Sequence, residues 1–130
     1  MFDFVILNNG GCAKYIDHLK NENYNSKNLD LRSIKIITST GSPLAEESFN
    51  YIYKNIKKDV HLASIAGGTD LVGCLVLGNL FSNVYKGEIQ GQSLGIDVDV
   101  FNDDGKSTSD GEKGELVVKQ PFPSMPVKFW

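Results

Sequence analysis

Residues 34–70 read IKIITSTGSPLAEESFNYIYKNIKKDVHLASIAGGTD, and this stretch decides the fold. Two short apolar runs, 34–37 and 60–65, enclose a segment in which Ala45, Phe49, Ile52 and Ile56 fall on one helical face. Strand, helix and strand in that order favour a right-handed crossover and a parallel sheet. Ser42 suits the helix N-cap and Pro43 the first helical position, with the helix running to about Lys57. Glu46 and Glu47 match the positive end of its dipole, and Lys54, Lys57 and Lys58 the negative end. Each strand empties into a loop of small and hydroxyl-bearing residues, 39–43 and 66–70. In open parallel sheets the carboxyl edge is where ligands bind.

The second loop admits two readings. Gly67, Gly68, Thr69 and Asp70 are ordinary turn chemistry, because glycine accepts positive φ and Thr and Asp side chains bond nearby backbone groups. They also suit a site where a ligand approaches the backbone closely and oxygen is offered to phosphate or a metal ion. Two such loops, each after a strand and about 25 residues apart, suit a nucleotide lying across strand ends.

Working outward, residues 4–7 (FVIL) form a run typical of a strand buried on both faces. NNGG then turns the chain, and Ala13, Ile16 and Leu19 place an amphipathic helix over 12–22. Beyond Gly73 the pattern changes to short β-rich pieces, 74–77, 96–101 and 115–119, with glycine-containing turns. IDVDVF alternates and NDDG is a turn signal, so 96–119 reads as an antiparallel hairpin with a long tip. The expected class is α/β: a β-α-β parallel-sheet segment in 1–72, then a β-rich segment with an antiparallel hairpin or partial barrel in 73–130.

Composition narrows the function. The chain has 130 residues, a formal charge of −3, 41% hydrophobic and 22% charged residues, which fits one soluble globular domain or part of one. Scattered lysines give no basic stripe for nucleic acid, and no run is apolar enough to span a bilayer. Cys12 and Cys74 lie far apart without a zinc or disulfide pattern and read as buried thiols in a reducing, cytoplasmic compartment. The abrupt apolar ends, MFDFVIL and PVKFW, read as those of an internal segment.

Several motifs are excluded. TSTGSP has no lysine after Gly41, so it is no Walker loop, and neither G-x-G-x-x-G nor G-x-S-x-G occurs. His18 and His61 read as solvated or structural. Setting Gly105 as the glycine of a calcium loop puts Val100 and Gly111 at ligand positions, so the acidic tip is a solvated hairpin end.

The segments IITSTGSPL, SIAGGTDL, VYKGEIQGQSLGIDV and GEKGELVVKQPFPSMPVKFW resemble, in order and spacing, the acetoacetyl-CoA synthetases of the adenylate-forming superfamily. The resemblance extends weakly to GGCAKYI and implies a fragment of the large N-terminal domain of such an enzyme. That family makes an acyl adenylate from an acid and Mg-ATP, then transfers the acyl group to coenzyme A. By resemblance, Gly41, Ser42 and Pro43 match the loop against the adenine, and Ala66, Gly67 and Gly68 the stretch between adenine and acyl group. Thr69 matches the catalytic threonine at the α-phosphate, and Asp70 stands where most relatives carry a metal-binding glutamate, here for Mg²⁺. Gly67 replaces a tryptophan of acetate-restricted relatives, implying room for a longer acid. The loop for the outer phosphates, the ribose-binding aspartate and the small domain with the catalytic lysine have no counterpart. The implied partners are therefore acetoacetate, ATP and CoA, together with further enzyme segments, and the isolated chain is expected to be inactive. An autonomous, non-catalytic nucleotide-binding or interaction module is the alternative.

Overall fold

The computed structural model describes residues 5–9 and 12–128. The strand start at Phe4, the turn at Gly10 and Gly11 and the burial of Cys12 lie outside what is described. Two compact units emerge, Met1–Ala66 with Leu77–Gly91, and Gly67–Val76 with Gln92–Trp130. They are interleaved along the chain rather than consecutive.

In the first unit β1 (Val5–Asn9), β2 (Ile34–Ser39) and β3 (His61–Ser64) form a parallel sheet in that order. Helix α1 (Cys12–Asn21) joins β1 to β2, and α2 (Glu46–Tyr51) lies between β2 and β3. Ile16, Ile37, Leu44, Phe49, Ile52, Val60 and Leu62 make the core, with Phe49 and Leu62 fully buried. The alternation in β2 explains this, since Ile37 and Ser39 share the buried face.

The helix between β2 and β3 departs from expectation at its start, while its helical turns end at Ile56, as expected. Ser42 does not cap it; α2 starts at Glu46 after an extended Ala45 (φ −66°, ψ 153°) with no side-chain cap. The reason is Leu44, only 2% exposed. Burying a leucine is worth about 1.5–3 kcal/mol against about 1 kcal/mol for a cap, so the chain dips into the core before it coils. Ser42 instead accepts a hydrogen bond from the Ala13 amide at 3.2 Å, capping the first turn of α1 from 29 residues away.

At its other end α2 passes into a π-helical turn, Ile52–Ile56, closed by the Lys57 amide on the Ile52 carbonyl at 2.9 Å. The loop after α1 satisfies its last carbonyls. The Ser26 amide reaches Asn55 O at 3.0 Å, its hydroxyl bonds Ile56 O, and the Tyr51 hydroxyl meets the carbonyls of Leu19 (2.9 Å) and Tyr24 (2.5 Å).

The remaining strands are short: β4 (Ala66–Gly68), β5 (Gly73–Leu77) and β6 (Gly91–Gln92) form one sheet in that order. In the second unit β7 (Val98–Phe101) and β8 (Glu115–Val118) pair antiparallel, Val98 opposite Val118 and Phe101 opposite Glu115. This is the hairpin expected over 96–119. Its tip is held by Asn102, whose side-chain oxygen accepts the amides of Asp104 (3.1 Å) and Lys106 (3.0 Å). Cys74, expected to be buried, is a half-buried free thiol, because β5 belongs to a small sheet rather than to the main core. Among the described residues no helix is long and apolar enough to cross a membrane.

Candidate functional site

The parallel register sets the first half of the candidate site. Ser39 and Ser64 stand opposite each other at the ends of β2 and β3, and the Ile65 amide donates to the Ser39 carbonyl at 2.9 Å. The chain therefore leaves both strands at one edge of the sheet and at one level, so residues 40–45 and 65–66 start side by side. Gly41 turns at φ +88°, where a side chain would be strained. Gly41 and Pro43 are exposed, and Ala66 is half-buried. The Ser42 hydroxyl accepts from α1 and keeps its own proton to donate, so the loop offers its backbone, this O–H and the Pro43 ring.

Ser39, expected in the loop 39–43, is instead the last residue of β2 and is buried. Its hydroxyl is buried and lacks a hydrogen-bond partner among the described residues. A hydroxyl sharing the buried face of Ile37 was the available signal, since buried polar groups are normally paired.

The remaining candidate residues belong to the other unit and are described by themselves. Gly67, Gly68, Thr69 and Asp70 run from β4 into a tight turn, in which the Leu71 amide bonds Gly68 O (3.2 Å) and the Val72 amide Thr69 O (3.1 Å). Thr69 and Asp70 are exposed, and no ion pair occupies the Asp70 carboxylate among the described residues. The turn closes on Val72, a β-branched residue at φ +50° that is 80% exposed. Left-handed backbone is unfavourable for such a side chain and collects at functional sites. Composition gave no sign of it.

Gly67 has a reason of its own to be glycine. A Cβ there would lie 2.2 Å from the Gly73 carbonyl oxygen and 2.5 Å from Cys74 Cα. Among the described residues no three His, Cys, Asp or Glu side chains gather into a metal cage.

The fold is shared with solved CoA ligases. The chain superposes on an anthranilate CoA ligase solved with anthranoyl-AMP, with a TM-score of 0.72 at 17% identity over 90% of this chain and 22% of that one. Its fold is thus shared with a segment of that protein. Within that class the match is closer to acetoacetyl-CoA synthetases: that of Streptomyces lividans gives a TM-score of 0.84 at 32% identity, over 96% of this chain and 20% of the other. The acetoacetyl-coenzyme A synthetase of Rhizobium meliloti (strain 1021) is 55% identical over 122 residues, 93% of this chain and 19% of the relative. The chain is homologous to one segment of the acetoacetyl-CoA synthetases, and spans about a fifth of the length of the relatives it matches. No protein-family model matches it.

Proposed function

We propose that these 130 residues are part of the large N-terminal domain of an ATP-dependent acid–CoA ligase that activates acetoacetate. The 55% identity to an acetoacetyl-coenzyme A synthetase carries this reading, and the shared strand edge at Ser39 and Ser64 supports it. A carboxylate oxygen of the acid attacks the α-phosphorus of ATP, the bond to pyrophosphate breaks, and the coenzyme A thiolate then displaces AMP from the acyl carbon.

In this reading the backbone of Gly41, Ser42 and Pro43 borders the adenine, and Ala66, Gly67 and Gly68 lie between adenine and acyl group. The Thr69 hydroxyl donates to the α-phosphate, where charge develops during attack. The exposed Asp70 carboxylate fits Mg²⁺, a hard cation that needs only one or two carboxylates when phosphates and water complete its shell. Bound there, magnesium would neutralise phosphate charge.

The test is acetoacetate-dependent pyrophosphate release by the full-length protein. Thr69→Ala and Asp70→Ala are each expected to lower it by about 10²-fold, the usual scale for one lost transition-state contact. Residues 1–130 alone are expected to release none. Full activity of both variants would overturn the assignment.

A further inference from the structure

The segment that returns to the first unit after β5 is organised around one side chain. Gln90 Nε2 donates to Asn79 O (2.9 Å), Ser82 O (2.9 Å) and, at 3.2 Å, to Ser82 Oγ and Asn83 O. Its Oε1 accepts the Asn79 amide at 3.0 Å. Both ends of the carboxamide are therefore used, and residues 79–83 wrap around it. The neighbouring Gly78 sits directly on β3. A Cβ at Gly78 would meet Ala63 Cβ at 2.4 Å, His61 Nε2 at 3.1 Å and Gln90 Oε1 at 3.2 Å. One face of β3 packs Leu62 into the core, and Gly78 closes on the other, at His61 and Ala63.

We infer that Gln90 is a positioning residue for the carboxyl end of β3, and through it a determinant of acid selectivity. It holds the 79–83 loop, the loop holds Gly78 against Ala63, and Ala63 is three residues before Ala66. On its other edge the strand end is held by its pairing with β2 and by the Ile65 amide on Ser39 O. Gln90 reaches substrate only through this chain of contacts. The role in selectivity rests on the ligase reading; the role in fixing β3 does not.

The experiment uses the full-length protein with Gln90→Leu, which keeps the bulk and removes all five hydrogen bonds, and Gln90→Glu, which keeps the acceptor for the Asn79 amide. Hydrogen exchange at residues 61–66 and 79–83 reads the positioning; the ratio of kcat/KM for acetoacetate to that for acetate reads the selectivity. Gln90→Leu is expected to speed exchange in both segments and to narrow the ratio by about fivefold, less than the roughly 10-fold or more that a whole methylene controls by direct contact. Gln90→Glu is expected to fall between it and wild type, and carries the same test if the leucine variant does not fold. A lower folded fraction alone would leave the ratio unchanged. Unaltered exchange at 61–66 overturns the positioning role, and an unaltered ratio overturns the selectivity role. A wild-type protein that ignores acetoacetate overturns the ligase reading instead, with the exchange result still deciding the rest.

Discussion

Gly67 and Gly73 approach so closely that a single methyl on Gly67 would stand 2.2 Å from the Gly73 carbonyl oxygen. The contact is with backbone, which cannot rotate aside as a side chain can. Gly67→Ala is therefore expected to destabilise the protein by about 1–3 kcal/mol, the range for overpacking, as measured by denaturant unfolding. If residue 67 only made room for an acid, the variant would keep its stability and shift only in acid preference.

The bond from the Ala13 amide to Ser42 Oγ makes α1 depend on a residue of a distant loop. Ser42→Ala is expected to cost about 1 kcal/mol and to speed amide exchange in the first turn of α1. Faster exchange at Glu46 to Ser48 instead would show that Ser42 caps α2.

Val72 carries strain without burial, being left-handed at φ +50° and 80% exposed. Val72→Gly is expected to raise stability by about 1 kcal/mol, since the cost of left-handed backbone disappears and no buried contact is lost. A fall in the unfolding midpoint would contradict the strain.

Asp99 gives the hairpin a pH dependence. The Ser107 hydroxyl (2.8 Å) holds its carboxyl below the ordinary carboxylate range, helped by the Val100 amide (2.8 Å) and the Lys119 ammonium (3.3 Å). A carboxyl with a lowered folded value stabilises the fold above its unfolded value, about 3.9, and that contribution fades as pH falls through the folded value. Acid unfolding of β7 and β8 is expected in that window. Ser107→Ala should move the Asp99 titration, followed by carboxyl NMR, upward; an unmoved titration would exclude the hydroxyl as its main cause.

Much of the architecture was legible because local signals and tertiary packing agree. The apolar runs at 34–37 and 60–65 became paired strands, and the alternation of IDVDVF became β7. The start of α2 was misplaced because capping chemistry is a local cue, and the burial of Leu44 outweighed it. The π-helical turn at Ile52–Ile56 was invisible, since its apolar spacing serves a regular helix equally well. For the site, sequence marked the loop residues by their chemistry. It put Ser39 in a loop and could not mark Val72 or Gln90; the significance of the three lies in burial, backbone angle and contacts made across loops.

The interleaving of the two units limits how the molecule can be divided. Any single cut between residues 67 and 76 removes Leu77–Gly91 from the unit that contains the parallel sheet, and with it Gly78 from the surface of β3. A soluble piece holding that sheet intact must therefore extend through residue 91, either carrying Gly67–Val76 along as an insertion or splicing Ala66 to Leu77 with a linker. Insertions tolerate replacement only where the backbone at their ends is lightly bonded, and residues 67–76 do not meet that condition, because β4 and β5 belong to one sheet; of the two routes, the one that carries this segment along keeps Thr69 and Asp70.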